Sequence, residues 1–490
     1  MSYLAIDLGA SSGRAVLGTL EPRPEGLRVA TRDVHRFRVP MIEQAGHLYW
    51  DVDALWDDLR TAVAAALDIA PALQSVSVDS WAVDYVPLDA DGAPLRLPYA
   101  YRDPRTRGRL AEVFRRVDAG LLYAVTGIQF LEFNTLPQVV ADLLDEPELV
   151  ARTRTRLLIA DYFLYRLSGR PIAERTMAST TQLFDVRAGA WSQEVIRAAG
   201  DDPARWPTIV NPGTVLGPVL ADALPAAARG AGRRPLVVAS CSHDTAAAVA
   251  AVPASGEEPW AYISSGTWSL VGAELRAPVL TPAARRAGFT NEVGLDGTVR
   301  FLKNRTGMWV LEECLREWAA DDSRVAWEPL FAEAAASSGG RAIDLDAPQF
   351  GERGGMVAKL EAACRDSGAP VPATRGEICR LVLESLADSY RRTLDELETL
   401  TGARARVLHV VGGGARNGLL NQLTADACGR RVVAGPEEAT ALGNILVQAR
   451  ALGDLPRGVA IRDVARASAT LSEFLPRNPA PRQRPAVSAR

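Results

Sequence analysis

Short apolar runs that end in small polar residues dominate the first eighty positions of the chain. Residues 4–8 form such a run, and further β-like runs follow at residues 14–19 and 28–39. The tight glycine–serine turn after the first run predicts a β-hairpin. Apolar positions in residues 53–70 recur with helical spacing, whereas residues 74–79 alternate as in a strand. The pattern therefore predicts three antiparallel strands, a helix and a fourth strand.

A related order returns in the second half of the chain. Residues 260–265 and 268–273 are strand-like and flank a Gly-Thr turn, and residues 378–400 have the periodicity of a long helix. Residues 407–411 form a buried strand that three glycines follow. Because both halves contain a strand–glycine turn–strand unit, we predict an internal duplication.

The domain boundary is predicted from composition. Residues 221–234 are rich in Ala, Gly and Pro, and a new apolar run starts at Pro235. We therefore predict an N-terminal domain at residues 1–238 and a C-terminal domain at residues 239–475. Residues 476–490 are rich in Pro and Arg, a composition that predicts a disordered tail.

Composition narrows the class of partner. The 490 residues are 48% apolar, which predicts a folded protein. The net charge of −4 gives no basic excess to neutralise phosphates, so we expect no nucleic-acid or membrane partner. Only Lys303 and Lys359 are lysines, so we expect any essential cation to be an arginine. The five cysteines lack C-x-x-C spacing and the four histidines lack metal spacing, which indicates a reduced, cytoplasmic compartment and no zinc site. We expect a monomer or a weak homo-oligomer.

The first candidate for chemistry is the turn at residues 10–13, which Asp7 and Arg14 flank. Polyphosphate binding needs several backbone N–H groups in one concavity, and glycine and serine allow the close approach. Asp7 could hold a hydrated Mg²⁺, and Arg14 could neutralise phosphate charge. The turn lacks the Gly-Lys-Ser/Thr of a Walker A loop. An ordinary hairpin with a buried aspartate is the alternative.

A second candidate is Asp244, which follows a buried strand and a Ser-Cys-Ser turn and begins an Ala-rich helix. It could accept the proton of a sugar hydroxyl, and we expect the helix dipole to keep it ionised as a weak base. The alternative is a helix cap worth about 1 kcal/mol. His243 beside it could bind substrate or be an ordinary turn histidine.

Two further glycine turns are candidate nucleotide contacts. The turn that contains Thr267 lies between two strands, and its backbone and hydroxyl could bind the β- and γ-phosphates. Gly412 and the two glycines after it separate a buried strand from a helix. Asn417 and Asn421 are spaced to share one face of that helix and could reach adenosine, or be a helix cap and a solvated amide.

Aromatic and charged residues cluster at residues 49–51, 79–85 and 101–105. Aromatic faces, carboxylates and arginines together are typical of sugar sites. Exposed turns of the same composition are common in other proteins, so these stretches leave both interpretations open.

These segments together resemble the actin-like ATPase superfamily and, within it, the FGGY carbohydrate kinases. The resemblance runs from about residue 4 to residue 475 and rests on these strings: DLGASSGR, HRF, WDVD, YRDPRT, TGIQFLEFNTLPQ, DYFLYRLSG, TTQL, SHDTA, SSGTWSL, TNE, LKN and VGGGARN. It implies an α/β fold of two ribonuclease-H-like domains with a central interdomain cleft that binds ATP.

The resemblance also implies roles for single residues. The ATP phosphates are expected at Ala10, Ser11, Ser12, Gly13 and Arg14. Further ATP contacts are expected at Thr267 and Gly413, and from the turn chemistry above at Gly412 and Asn417. The substrate is expected against His243, Asp244, Thr245 and Asn291, with Asp244 as the proton acceptor.

The family strings imply phosphorylation of L-rhamnulose at its 1-hydroxyl by ATP and Mg²⁺. The alternatives are another ketose, of the L-fuculose or L-xylulose type, or an actin-like ATPase without a sugar substrate. One departure from the family pattern matters for the substrate: Ala82 stands where the family typically has glycine between Trp and Val. Its methyl group would lie where the backbone approaches the sugar, so Ala82 is expected to affect the choice of ketose.

Overall fold

The computed structural model describes residues 1–24, 26–229, 234–256, 258–321 and 325–477. Most of the predicted tail, residues 478–490, and part of the predicted hinge, residues 230–233, lie outside the described residues. The chain forms two compact units, each built from separate segments. Unit 1 contains Met1–Ser255, Ala273–Lys303 and Glu438–Thr470, and unit 2 contains Gly256–Gly272, Asn304–Glu437 and the chain from Leu471 on. The domain boundary at residues 238 and 239 stays a prediction.

The strands are β1 (Ser2–Leu8), β2 (Ser12–Arg23), β3 (Gly26–Arg38), β4 (Met41–Gln44), β5 (His47–Trp50), β6 (Ser75–Ser80), β7 (Tyr85–Leu88), β8 (Thr155–Leu158), β9 (Ala173–Glu174), β10 (Phe184–Asp185), β11 (Ala190–Trp191), β12 (Ile209–Val210), β13 (Thr214–Pro218), β14 (Leu236–Ala239), β15 (Trp260–Ser265), β16 (Trp268–Leu275), β17 (Thr290–Val293), β18 (Val299–Thr306), β19 (Val407–Val411), β20 (Arg431–Ala434) and β21 (Ser472–Phe474).

The α-helices are α1 (Val52–Ile69), α2 (Arg109–Arg116), α3 (Ala119–Thr126), α4 (Thr135–Asp145), α5 (Pro147–Arg152), α6 (Ile159–Ser168), α7 (Arg175–Ala178), α8 (Gln193–Ala199), α9 (Asp244–Ala250), α10 (Pro282–Ala287), α11 (Trp309–Asp321), α12 (Trp327–Ala336), α13 (Met356–Ser367), α14 (Arg375–Thr401), α15 (Gly418–Cys428), α16 (Ala439–Ala451) and α17 (Ile461–Ser468). Within the described ranges, no helix is long and apolar enough to cross a membrane.

Unit 1 is organised around a six-stranded sheet in the order β13-β14-β6-β1-β2-β3. β1, β2 and β3 run antiparallel, which confirms the predicted hairpin, and β6 lies parallel to β1 on its other side. Because β1 is buried along nearly its whole length, its apolar run shows no alternation. The apolar face of α1, which includes Leu55 and Leu59, belongs to the same core as β1.

Unit 2 repeats this local arrangement. β15 and β16 form an antiparallel hairpin, and β19 lies parallel to β15 on the other side, followed by β20 and β21. The predicted strand at residues 407–411 coincides with β19, and the predicted long helix is α14. α14 starts three residues before its predicted start because Thr374 and Glu377 form a capping box. The repeated hairpin and parallel strand agree with an internal duplication.

One glycine controls how closely two helices of unit 1 approach. α16 packs on α9, and a Cβ atom at Gly443 would fall inside the contact distance of the Ala247 carbonyl oxygen and carbon. These atoms belong to the backbone of α9 and cannot rotate away. The close approach also leaves Asn444, the next residue of α16, fully buried.

We expect Gly443→Ala to lower the free energy of unfolding by about 1–3 kcal/mol, because the two helices must separate to admit the methyl group. Differential scanning fluorimetry of the full chain measures the effect. Gly340→Ala is the control, since within the part of the chain that the structure describes no atom lies within 4 Å of a Cβ atom there, and its φ is ordinary. Equal midpoints for Gly443→Ala and Gly340→Ala would contradict the packing argument.

Candidate active site

Two carboxylates meet where β1 and β6 end. The two strands are parallel, and Asp7 and Asp79 are partners in their register. Asp7 also lies opposite Arg14 across the β1–β2 hairpin. The Arg14 Nε and Nη2 atoms donate to Asp7 Oδ2 at 2.9 and 2.8 Å, and Arg14 also forms an ion pair with Glu438. The residue predicted to bind magnesium therefore contacts the residue predicted to bind phosphate.

The turn between β1 and β2 is open to solvent. Ser11 and Ser12 are exposed, Ala10 is half-buried, and the turn is closed by a hydrogen bond from Gly9 N to Ser12 O of 3.1 Å. Gly13 is buried against the ring of Phe37, which leaves no room for a side chain. The turn is a hairpin in its form, and because Ser11 and Ser12 at its tip are exposed, their backbone could approach an anion.

Asp79 is fully buried and begins the stretch at residues 79–85 that was a candidate for sugar contact. Its Oδ2 accepts a hydrogen bond of 2.5 Å from Asn444 Nδ2, whereas its Oδ1 has no hydrogen-bond partner among the described residues. Burial, followed by the charge of Asp7, raises the pKa of Asp79 well above its usual range. Gln448 Nε2 donates to Asn444 Oδ1 and holds this side chain, and Gln448 Oε1 accepts from Ser75 Oγ. A buried polar chain thus connects α16 with the carboxylates.

Asp244 is the first residue of α9, and the cap position belongs to His243, whose side chain caps nothing. The Asp244 Oδ1 atom accepts hydrogen bonds from Thr245 N and Thr245 Oγ1, at 2.5 and 3.1 Å. The Asp244 side chain keeps 29% of its surface exposed, so a ligand can reach it. The interpretation of Asp244 as a plain N-cap is therefore wrong.

Burial raises the pKa of Asp244 to about 7, with the charge of Asp7 as the second cause. The expectation that the helix dipole keeps Asp244 a low-pKa carboxylate is therefore wrong. α9 has only seven residues, and a helix terminus contributes roughly 0.3–1 kcal/mol, which desolvation and a neighbouring negative charge outweigh. A carboxyl group with this pKa can exchange a proton near neutral pH.

His243 links Asp244 to a buried arginine. The Arg300 Nη2 atom lies 2.9 Å from His243 Nδ1, and His243 Nε2 lies 3.4 Å from Asp244 Oδ1. Burial and the positive charge of Arg300 hold the pKa of His243 well below its usual range, so the ring is neutral.

A buried glutamate fixes the turn that carries His243. Glu174 accepts hydrogen bonds from Ser242 N at 3.0 Å and from the hydroxyl and backbone N–H of Thr176. Thr176 Oγ1 in turn accepts from His243 N at 3.2 Å. Burial raises the pKa of Glu174 to about 7, although these donors oppose the shift. The turn is therefore held from a segment about 70 residues earlier in the chain.

The Asn291 side chain is engaged by backbone groups. Its Oδ1 accepts from Val279 N at 2.7 Å, and its Nδ2 donates to Gly127 O and Val279 O at 3.1 Å each. A Cβ atom at Gly127 would collide with this amide, which explains the glycine there. Both amide hydrogens already have acceptors, and the role of Asn291 as a sugar ligand stays a prediction.

Ala82 lies in a strained loop. It is half-buried and precedes Val83, which has φ +75°, a conformation that β-branched residues rarely adopt. The carbonyl oxygen of Val83 accepts from Thr135 Oγ1 at 2.7 Å. Asp84 anchors the next position, because its carboxylate accepts from four donors: Trp50 Nε1, Trp81 Nε1, Gln138 Nε2 and Tyr101 N.

The two tryptophans of the predicted sugar-binding stretches therefore hold the Ala82 loop. Trp50 and Trp81 are buried, their ring centroids are 4.3 Å apart, and both indole N–H groups point to Asp84. Burial raises the pKa of Asp84 to about 6, and the two indole donors and Gln138 oppose that shift. The Ala82 loop is thus fixed by packing and buried hydrogen bonds.

Unit 2 brings the remaining predicted residues to one end of its sheet. Ser264 of β15 is the register partner of Val411 of β19, so the Thr267 turn and the turn that starts at Gly412 lie side by side. Gly412 has φ +83°, and a Cβ atom at Gly412 would press on the Ser265 carbonyl oxygen. Gly413 is open, with no atom of the described residues within 4 Å of a Cβ position.

The start of α11 supports the Thr267 turn. Met308 N donates to Gly266 O at 2.9 Å, and the Thr267 hydroxyl donates to Glu312 at 3.3 Å. Gly307 is needed for this contact, because a Cβ atom there would overlap the backbone of Gly266 and Thr267. Gly307 was not predicted, since its requirement comes from a segment about 40 residues away.

Asn417 is the N-cap of α15. Its Oδ1 accepts from Leu420 N at 3.0 Å, which confirms the helix-cap alternative. Its Nδ2 has no hydrogen-bond acceptor within the part of the chain that the structure describes, so the same side chain also offers a donor. Unit 2 therefore assembles Thr267, Gly412, Gly413 and Asn417, while unit 1 carries the other predicted residues.

Sequence comparison identifies the family. Residues 2–251 match the N-terminal domain of the FGGY family of carbohydrate kinases, and residues 261–452 match its C-terminal domain. The rhamnulokinase of Klebsiella pneumoniae (strain 342) is 41% identical over 474 residues, which cover 96% of this chain and 94% of that protein. The rhamnulokinase of Bacteroides thetaiotaomicron is 38% identical over 478 residues, which cover 97% of this chain and 96% of that protein.

Solved structures share the fold at low sequence identity. The crystal structure of xylulose kinase from Rhodospirillum rubrum has a TM-score of 0.76 at 20% identity. The match covers 97% of this chain and 94% of the xylulose kinase chain. Plasmodium falciparum glycerol kinase with ADP has a TM-score of 0.76 at 14% identity, with the same coverage. With its mixed α/β fold and its two matched domains, the chain belongs to the FGGY family of carbohydrate kinases and is an ATP-dependent sugar kinase.

Proposed function

We propose that this kinase transfers the γ-phosphoryl group of ATP to the 1-hydroxyl of L-rhamnulose. The relatives that support this substrate are named rhamnulokinases and are about 40% identical over nearly the whole chain. The observation that carries the proposed chemistry is Asp244, a carboxyl group that is reachable from solvent and has a pKa near 7. The product of the reaction is L-rhamnulose 1-phosphate, an intermediate of L-rhamnose degradation.

Asp244 is the proton acceptor in this proposal. Phosphoryl transfer has a loose transition state, so the enzyme mainly positions the reactants and takes the hydroxyl proton late. A base with a pKa near the working pH combines a substantial ionised fraction with useful basicity. The pKa of His243 is held well below its usual range, so the ring cannot compete for the proton, but it can donate a hydrogen bond, and Thr245 holds the Asp244 carboxylate.

The ATP phosphates are assigned in unit 1 to the exposed turn. The backbone N–H groups of Ala10, Ser11, Ser12 and Gly13 would bind phosphate oxygens, and Arg14 would neutralise their charge. Asp7 supplies a hard oxygen ligand of the kind that Mg²⁺ prefers. Magnesium normally binds one or two carboxylates, waters and substrate phosphates, so Asp7 would hold it through water. When bound, Mg²⁺ neutralises charge on the phosphates.

The remaining ligands follow the same proposal. Thr267, Gly412, Gly413 and Asn417 of unit 2 would bind the nucleotide, with the free Asn417 Nδ2 as a donor. In unit 1, His243, Thr245 and Asn291 would bind the ketose, and Ala82 would limit its shape. We place the protein in the cytoplasm because its five cysteines are all free and buried.

A ketose panel tests the substrate. We expect ADP release to require both a ketose and Mg²⁺, with the highest kcat/KM for L-rhamnulose and lower values for L-fuculose and L-xylulose. Chelation of Mg²⁺ should abolish turnover, because the phosphate charge is then unbalanced. A higher kcat/KM for another ketose would overturn the substrate, and ADP release that ignores all sugars would overturn the kinase activity.

We expect Asp244→Asn to lower kcat by on the order of 10²–10⁴-fold while ATP still binds, because an amide cannot accept the proton. Turnover with L-rhamnulose and calorimetric titration with ATP in the presence of Mg²⁺ measure the two effects. The matched control is Asp118→Asn, since Asp118 caps α3 through its side chain and asparagine caps equally well. Near-normal turnover by Asp244→Asn would show that the assigned base is wrong.

A further inference from the structure

Arg300 is a fully buried arginine on β18 and has no place in the chemistry described so far. Its Nε and Nη2 atoms donate to Val293 O at 3.3 Å each, which fixes the guanidinium against β17. Its Nη2 also lies 3.0 Å from Glu292 Oε2 and 2.9 Å from His243 Nδ1. The guanidinium is therefore held in one orientation beside the imidazole ring.

The contact between Arg300 and His243 determines where the imidazole carries its proton. A guanidinium group has only donors, so the atom that it meets must accept. His243 Nδ1 therefore presents its lone pair to Arg300, and the proton of the neutral ring is on Nε2. The Nε2 atom is the one that lies 3.4 Å from Asp244 Oδ1. The Nε2–H group thus faces the carboxyl group proposed as the base.

The charges around His243 keep the ring neutral. Arg300 on β18 faces Nδ1, Glu292 on β17 lies 3.4 Å from the same atom, and Asp244 of α9 faces Nε2. Thr176 of α7 contacts the backbone of His243, and Glu174 of β9 contacts that of Ser242. Glu292 forms an ion pair with Arg300. Its carboxylate therefore balances the guanidinium charge and does not balance a positive charge on the imidazole of His243. A buried imidazolium would therefore face the guanidinium directly.

We propose that Arg300 is a positioning residue that holds His243 as the neutral Nε2–H tautomer, with this N–H group facing Asp244. Two consequences follow for the reaction. His243 cannot take the sugar proton, because the lone pair of Nδ1, its one basic nitrogen, already accepts from Arg300. Its Nε2–H group can only donate, either to Asp244 or to an oxygen of the ketose. The kinetic part of this proposal rests on the proposed function, whereas the tautomer does not.

Imidazole ¹⁵N–¹H correlation spectra of the full chain test the tautomer directly. The chain has only four histidines, so histidine-selective labelling gives four ring systems. The variants His35→Gln, His47→Gln and His409→Gln assign the other three signals by elimination. We expect His243 to carry its proton on Nε2 and to show no titration between pH about 5 and 8, where an ordinary histidine titrates.

The variant that tests Arg300 replaces both members of the buried ion pair, Arg300→Met with Glu292→Met. Removing both avoids an unpaired buried charge, which would itself destabilise the fold. We expect His243 to change tautomer or to titrate in this variant, and kcat to fall by on the order of 10- to 100-fold with an unchanged KM for ATP. Arg450→Met is the control, because Arg450 forms an exposed ion pair with Asp296 in the same unit.

Two results would overturn the proposal. The first is a wild-type spectrum in which His243 is protonated on Nδ1 or titrates with an ordinary pKa, a result that needs no variant. The second is a folded double variant whose His243 signal matches that of the wild type. If the proposed function alone is wrong, the wild-type spectrum is still as expected, and no ketose is phosphorylated.

Discussion

Three carboxylates at one end of a sheet create the constraint on which the rest of this molecule depends. β14, β6 and β1 are parallel neighbours, so Asp7, Asp79 and the turn that leads to Asp244 all come to the same edge. The charge of Asp7 disfavours ionisation of Asp79 and Asp244, and burial adds to that cost. Arg14 pairs with Asp7 and Asn444 with Asp79, whereas the Asp244 carboxylate accepts from Thr245 and lies 3.4 Å from the neutral ring of His243. Asp244 combines a raised pKa with a side chain that a ligand can reach, so this carboxyl group can exchange a proton with a ligand near neutral pH.

The polar groups that support this edge come from distant parts of the chain. Asn444 reaches Asp79 because Gly443 lets α16 approach α9 closely. Glu174 holds the turn before His243, and Arg300 holds the His243 ring. A buried polar group is tolerated only when it is hydrogen-bonded, so these partners are required once the carboxylates are buried. The support of the site and the packing of unit 1 are therefore one network.

Much of the fold could be predicted from sequence, because local patterns dictate it. β1, the hairpin to β2, α1 and β19 follow from apolar runs, glycine turns and helical spacing, and the structure confirms them. The short hairpin of β4 and β5 was missed, since runs of four residues carry too little periodicity. Family strings indicated the kinase chemistry, and the matches to both FGGY domains confirm the family.

The electrostatics of the site could not be predicted in the same way. Asp244 was expected to be a low-pKa carboxylate because the helix start is visible in the sequence, while its burial and its neighbour Asp7 are not. The hydrogen bonds of the Asn291 amide to the backbone of two other segments are also not visible in the sequence, and its role as a sugar ligand stays a prediction. The pairing of Asp7 with Asp79 left a signal, namely two predicted strands, residues 4–8 and 74–79, that each carry an aspartate at or next to the last position.

The pH dependence of kcat/KM for L-rhamnulose, at saturating ATP and Mg²⁺, tests the central claim most directly. Asp244 must be ionised to accept a proton, and its pKa is raised to about 7. The account therefore predicts that kcat/KM is maximal above that pH and falls about tenfold for each unit of pH below it. A profile that stays flat through pH 7 down to about pH 5, where an unperturbed aspartate is still largely ionised, would contradict it.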